Sequence, residues 1–301
     1  MSVITKRMNQ VTQVTIVGVG LLGGSIGLAL KAAGYGGRIV GVGRRREVVD
    51  RALALKCIDR SCANVSEAVA LVADRSASQL IILCTPLSTF AGLFAELAAC
   101  DRPALIITDA GSTKQQVCKE AARLLPDASR FVGAHPMAGS ELHGPEHSKV
   151  DLFKNRLCIL TPSGTNSTPA ALEIVRELWQ TLGMKLTEKS PSEHDHVVAA
   201  ISHLPHAAAV LLVQLADERK AISIAATGFR DTTRVASGDA RVWTDIFTTN
   251  RAAMLDTIDH FAAALAEFRR IVSDGDESEM LRLLSDVKQA RDTWLKQTWG
   301  E

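Results

Sequence analysis

Neither sign of charge dominates this chain: 34 Lys and Arg stand against 33 Asp and Glu, a formal net charge of +1 at pH 7. A nucleic-acid binder usually shows a marked basic excess, so the balance speaks against that class. The six cysteines, Cys57, Cys62, Cys84, Cys100, Cys118 and Cys158, form no C-x-x-C pair and no dense framework. They read as free thiols in a reducing compartment. The opening MSVITKRMNQV lacks an apolar h-region, so no secretory signal is expected and the chain reads as cytoplasmic. Repeats and low-complexity tracts are also missing. One stretch, VVAAISHLPHAAAVLLVQLA (197–216), is apolar enough to suggest a membrane span. It carries His203, Pro205, His206 and Gln214, which favour a buried core or interface helix instead.

The first 160 or so residues alternate short apolar runs with helical stretches. The runs are VTIVGVG (14–20), RIVGV (38–42), LIILCT (80–85), ALIITDA (104–110) and RFVGAH (130–135). Runs that are apolar throughout, and not alternately polar, suit strands buried on both faces of a parallel sheet. The βαβα order predicts a doubly wound α/β domain. RLCILTP (156–162), a helix near 168–182 and MKLTE (184–188) extend the same layer. After Pro191 no strand is expected. Ser190-Pro191-Ser192-Glu193 combines a capping box with proline at the first helical position, and long Ala/Leu-rich helices follow. The boundary is placed there, giving domains 1–189 and 190–301. The second has several apolar helices and few residues to bury them in, which predicts a homodimer through that domain. The acidic SDGDESE (273–279) reads as a solvated link into the last helix.

VTIVGVGLLGGSIGLAL sets Gly18, Gly20 and Gly23 as G-x-G-x-x-G at the first strand-to-helix turn. In this context the first glycine makes the turn, the second admits a pyrophosphate, and the third lets helix and strand pack. The helix N-terminus, entered by Leu21 and Leu22, offers N–H groups to the phosphates. Thr85 and Pro86, at the end of the third run, complete the predicted cofactor contacts. An aspartate that would bind the adenosine ribose belongs at the end of the second strand. The residue there is Gly43, followed by Arg44, Arg45 and Arg46. Glycine leaves room for a 2′-phosphate, and Arg44 and Arg45 can bind it through charge-assisted hydrogen bonds. Three cations opening a helix would otherwise oppose its dipole. The cofactor is therefore expected to be NADP, with NAD the alternative and Arg46 left to solvent.

Three later segments are more polar than their surroundings require. TDAGSTK (108–114) ends a sheet strand, where Ser112 either faces a ligand or, with Thr113, caps a helix. GAHPMAGSELHGPEHS (133–148) follows the next strand, and its His135 is a natural general base. HDHVVAAISHLPH (194–206) sets His196 and His203 two helical turns apart and His203 and His206 one turn apart, with Pro205 bending the helix. The histidines suggest a metal, but no cysteine or carboxylate set completes a zinc site, and none is expected. GFRDTTRVASGDARVWTDIFTTN (228–250) holds Arg230, Arg234 and Arg241, at least one of which suits a carboxylate.

Together these pieces resemble the prephenate/arogenate dehydrogenase family of tyrosine biosynthesis. VGVGLLGGSIGLAL, DAGSTK, GAHPMAGSELHGP, HDHVVAAISHLPHA and the 228–250 segment occur in the family's order. The resemblance implies a Rossmann-type dinucleotide-binding domain followed by an all-α dimerisation domain. It also implies NAD(P)-dependent oxidative decarboxylation of a cyclohexadienol. By the resemblance, His135 accepts the ring hydroxyl's proton as hydride leaves, and Ser112 shares that hydrogen bond. It gives Arg234 to a substrate carboxylate, and His206, Ser140 and Glu141 to the pocket lining. His203 and Asp195 read as structural support. Prephenate is the expected substrate, with arogenate or both as the alternative, and Glu141 is a candidate for arogenate's ammonium. Many family members carry the aspartate that Gly43 replaces. The sequence ends after the helical part, so any feedback by tyrosine is expected at the active site. Two rival readings fare worse. Hydroxyacid dehydrogenases of this architecture use a lysine base on the second domain's first helix, and no lysine lies between Pro191 and Arg219. A non-enzymatic NADP sensor has no need of His135, Ser112 and Arg234 together.

Overall fold

The protein's structure, a computed structural model, describes residue 4 and residues 7–299 other than 101 and 141. The chain clusters into two compact units, Met1–Met254 and Leu255–Glu301.

The first unit is built on an eight-stranded sheet. Its strands are β1 (Gln13–Val17), β2 (Arg38–Val42), β3 (Arg60–Cys62), β4 (Gln79–Leu83), β5 (Leu105–Asp109), β6 (Phe131–Pro136), β7 (Leu157–Thr161) and β8 (Lys185–Glu188), in the order 3-2-1-4-5-6-7-8. Every neighbouring pair is parallel except β6 with β7. The continuous apolar runs have a plain cause here. Along β1, Val14 and Ile16 enter one apolar layer and Val17 the other. Along β4, Leu80 and Ile82 face one layer while Ile81 and Leu83 face the opposite one. Successive side chains of a strand point to opposite faces, so a sheet covered on both sides takes apolar residues at successive positions, with Gln13, Thr15 and Gln79 as buried polar exceptions. β3, with only three residues of RSC, carries no such run, and the sequence pattern does not announce it.

From Pro191 to the end of the described residues the chain is helical, without a strand. The capping box at Ser190 is present in both directions: its hydroxyl accepts the Glu193 N–H, and the Glu193 carboxylate accepts the Ser190 N–H. Pro191–Val198 is α-helical, Ala199–His203 widens into a π-turn, and Leu204–Glu218 resumes the α-helix. Pro205 sits just after the wide turn. A proline removes one helical N–H and crowds the preceding turn, and a π-turn relieves both. By length and composition alone Pro191–Glu218 would cross a membrane, but it turns His194, Asp195, His203 and His206 into the protein interior.

The second unit comprises the rest of the helix Arg251–Asp274 and the helix Glu277–Trp299. Gly275 makes the turn between them at φ +67°, a left-handed conformation that favours glycine. Arg270 pairs with Glu267 and Asp274 on its own helix and with Glu279 across that turn.

Candidate active site

The glycine cradle is built as its spacing requires. Gly18 has φ +95°, and a Cβ on it would meet the Cys84 carbonyl oxygen at 2.7 Å. A Cβ on Gly23 would fall 2.1 Å from the Gly18 oxygen, so helix and strand touch through it. A Cβ on Gly20 meets nothing within 4 Å. The first and third glycines are thus demanded by packing. The second opens onto the empty space in front of the helix Leu21–Ala32, where N–H groups would receive a pyrophosphate. These residues fit a dinucleotide. Thr85 and Pro86 follow β4 at the same edge, where the Thr85 hydroxyl bonds that of Thr89 at 2.7 Å.

Gly43 is half-buried just past β2, and Arg44 and Arg45 are exposed. Arg46 bonds Asp50 one turn along its helix, Nε to Oδ1 3.0 Å. Among the described residues no ion pair involves Arg44 or Arg45.

At the carboxyl end of β5 a buried network shapes the next loop. Lys114 and Asp109 are wholly buried, with Nζ 2.6 Å from Oδ2. Nζ also donates to the carbonyls of Gly111 and Thr113, at 2.8 and 2.9 Å. Asp109 in turn accepts the N–H of Gly111 through Oδ2 and of Ala134, on β6, through Oδ1. The helix Gln115–Leu124 is not capped by Ser112 or Thr113. Asp195, from the helix Pro191–Val198, accepts the N–H groups of Lys114 and Gln115 at 2.8 and 2.9 Å. Ser112 is thereby released to line a cavity of about 470 Å³.

His135, Met137, Ser140, Arg156, Ser202, His203 and Trp243 also line that cavity. Its volume lies within the ~300–1,000 Å³ usual for small-molecule sites. His135 Nδ1 lies 2.9 Å from Nε2 of His194, whose own Nδ1 lies 2.7 Å from Asp195 Oδ1. Burial above all, then the neighbouring His194, Lys114 and His203, holds the His135 ring well below the ordinary histidine range. Burial likewise lowers His194, although the Asp195 hydrogen bond works the other way. Burial alone would raise Asp195. The hydrogen bonds from His194 and from the Gln115 and Lys114 N–H groups nevertheless keep its carboxyl below the usual value.

His203 is held by Asn250, whose Nδ2 approaches His203 Nδ1 at 3.1 Å and donates to the Asp195 carbonyl at 2.8 Å. The other ring nitrogen of His203, Nε2, is buried without a hydrogen-bond partner among the described residues. His206 stacks flat on Trp243, with centroids 3.5 Å apart, behind the cavity wall.

Not every residue singled out in the sequence meets here. Ser112, His135 and Ser140 line the cavity, and His206 backs it. Arg234 is exposed at the start of a 3-10 turn, Arg234–Ser237, and is not among the lining residues. Glu141 lies outside the described residues. His196, expected on the His203 face, is exposed, with Nδ1 bonded to the Ser192 carbonyl. Residues the sequence reading passed over are His194, Arg156 and Trp243. Arg156 was concealed as the first residue of a strand.

The description "Prephenate dehydrogenase, nucleotide-binding domain" matches residues 26–188, and "Prephenate dehydrogenase, dimerization domain" matches 190–286. The prephenate dehydrogenase of Bacillus subtilis is 36% identical, over 95% of this chain and 77% of its own. The cyclohexadienyl dehydrogenase of Zymomonas mobilis is 33% identical over 92% of this chain and 94% of its own. Among solved structures, the prephenate dehydrogenase of A. aeolicus, in complex with hydroxyphenyl propionate and NAD+, superposes with a TM-score of 0.87. It is 30% identical, with 94% of this chain and 98% of that chain covered.

Proposed function

The chain belongs to the prephenate dehydrogenase family, and from that premise we propose that it oxidatively decarboxylates prephenate with NADP. The carrying observation is the neutral, buried His135 beside Ser112 in a cavity at the carboxyl ends of the strands, the edge that also bears the glycine cradle. When bound, the nicotinamide supplies a hydride acceptor. His135 takes the proton from the ring hydroxyl as hydride departs, and Ser112 shares that hydrogen bond and orients the oxygen. Loss of CO2 leaves an aromatic ring, so the chain's main tasks are to position the reactants and manage one proton. Ser140 completes the wall, and His206 sets the orientation of Trp243. The resemblance gives a substrate carboxylate to Arg234. Within the chain's own cavity, Arg156 is the guanidinium placed to hold one.

NADP is favoured by Gly43, which offers no carboxylate to repel a 2′-phosphate, and by Arg44 and Arg45, which are exposed beside it. We further propose that residues 1–189 bind the cofactor, and that residues 190–301 complete the substrate site and form a homodimer. Ile201, Leu211 and Ile224 are 62%, 61% and 86% exposed, and a second copy would cover such apolar side chains. A soluble enzyme of the cytoplasm fits the free cysteines. Arogenate, or both ring acids, is the second reading, favoured by the likeness to a cyclohexadienyl dehydrogenase.

Reduced-cofactor formation by the purified protein, with prephenate and arogenate each paired with NAD and NADP, tests this directly. Prephenate with NADP should give the highest kcat/KM. If all four pairings stay silent, the reaction is wrong; if NAD is preferred, the cofactor is wrong. His135→Asn should keep substrate binding and lose turnover by ~100-fold or more, the contribution expected of a general base.

A further inference from the structure

Behind His135 a line of hydrogen bonds runs through His194 to Asp195. We propose that His194 and Asp195 are positioning residues for His135, fixing its tautomer and drawing the positive charge inward when it takes the substrate's proton. The inference rests on the reading of His135 as the base.

The direction of the line follows from its buried end. An ionised carboxylate only accepts hydrogen bonds. Asp195 Oδ1 already takes the Lys114 N–H at 2.8 Å, so the contact to His194 Nδ1 at 2.7 Å places a proton on that nitrogen. Neutral His194 then has a bare Nε2, which can only accept. His135 Nδ1, 2.9 Å away, must therefore carry its proton. That leaves Nε2 of neutral His135 as the unprotonated nitrogen for the cavity. One carboxylate thus decides, two rings away, which nitrogen can act as the base. Asp195 is itself held by three contacts besides His194. They are the two N–H groups opening the helix Gln115–Leu124, and Asn250 on its carbonyl.

The charge can follow the same line. The hydroxyl proton arrives on Nε2 of His135, while the ring C–H electron pair leaves with its hydrogen as hydride to the nicotinamide. The Nδ1 proton of His135 then passes to Nε2 of His194. His135 is neutral again, and the imidazolium rests beside the Asp195 carboxylate. After product leaves, His194 returns that proton and His135 Nε2 gives its own to water. Apart from the line itself, Lys114 and His203 bear on His135, and Lys114 and Asp109 bear on His194. Lys114 lies near both rings and disfavours a cation on either. Asp195 touches His194 directly, Nδ1 to Oδ1 2.7 Å, whereas His135 reaches that carboxylate only through His194, so His194 is the better place for it.

The test joins the tautomer to the kinetics. In wild-type protein carrying 15N-labelled histidine, the His135 signals, identified by their loss in His135→Gln, should show a protonated Nδ1 and a bare Nε2. His194→Ala should lower kcat by ~100-fold while KM and cofactor affinity stay within about twofold, because only proton handling is lost. His194→Gln, whose Oε1 can still accept the His135 Nδ1–H, should recover about tenfold of that loss while lacking a protonatable ring. A protonated Nε2 in the wild type overturns the proposal, as does a His194→Ala enzyme with kcat within about threefold of normal. If His194→Ala does not fold, the wild-type tautomer decides alone. A wild type silent toward both ring acids would sink the function proposed above and still leave the tautomer to be read.

Discussion

Lys114 Nζ and Asp109 Oδ2 lie 2.6 Å apart with both side chains wholly out of solvent. The pair ties the loop carrying Ser112 to the strand carrying His135, because Asp109 also accepts the Ala134 N–H at 2.9 Å. Removing one member leaves the other charge buried and uncompensated, which costs about 3–5 kcal/mol. Lys114→Met should therefore lower the free energy of urea unfolding by about that much. Adding Asp109→Asn, which removes the stranded charge, should recover part of it. A single mutant within about 1 kcal/mol of wild type would show that water reaches the pair.

The three cradle glycines should separate under alanine substitution. At Gly23 the new methyl would lie 2.1 Å from the Gly18 oxygen, so Gly23→Ala should lower the melting temperature and cofactor affinity together. At Gly20 the methyl meets nothing within 4 Å and φ is −80°, so folding should be unharmed while cofactor affinity drops about tenfold or more as pyrophosphate approach is lost. Thermal unfolding and cofactor titration of the two variants read both effects. A Gly20→Ala protein with normal affinity would mean that the phosphates lie elsewhere.

What the sequence disclosed and what it hid follow from the range of the forces involved. The buried strands are legible because a doubly covered sheet keeps Val14, Ile16 and Val17 of β1 and Leu80, Ile81, Ile82 and Leu83 of β4 apolar on both faces, and the capping box at Ser190 is a local hydrogen-bond pattern. β3 escapes notice because three residues cannot show a period. Ser112 could have been a helix cap; Asp195, 80 residues from Gln115, supplies the cap instead, and no local pattern reveals that. His196 departs from the face of His203 for a geometric reason. A strict 3.6-residue period puts His196 on the face of His203, but the π-turn Ala199–His203 shifts the register. His194 and Asp195 face inward and His196 faces water. The line His135–His194–Asp195 is invisible until that turn is known.

Arg44 and Arg45 should matter to one cofactor and not the other. If each donates a charge-assisted hydrogen bond to a 2′-phosphate, its loss costs about 1.5–3 kcal/mol, or at least tenfold in affinity. Replacing both by alanine should raise KM for NADP by ~100-fold and leave KM for NAD within about twofold, and added salt should blunt the wild-type preference. Arg46→Ala, which only breaks the exposed pair with Asp50, should change neither. Equal losses with both cofactors would mean that the arginines serve the pyrophosphate.

Stability should fall with pH in a window set by the interior histidines. Burial brings His203 down from 6.5 to about 4, against a smaller upward pull from Asp195. Its geometry gives the reason, since Nδ1 faces the Asn250 amide at 3.1 Å as an acceptor and has no room for a second proton. The unfolded chain takes up a proton on this ring as pH drops below 6.5, and the folded chain does so only near 4. The stability from keeping the ring neutral is therefore complete above 6.5 and drains away as pH falls toward 4. A shift of this size is worth about 3 kcal/mol, and the lowered His135 and His194 act in the same direction. Urea midpoints measured across that window should decline steadily. In His203→Gln, which keeps a polar group at the position but cannot titrate, the decline should be shallower. A wild-type profile that stays flat down to the lower limit would mean that these rings reach water in the folded protein and carry their protons there.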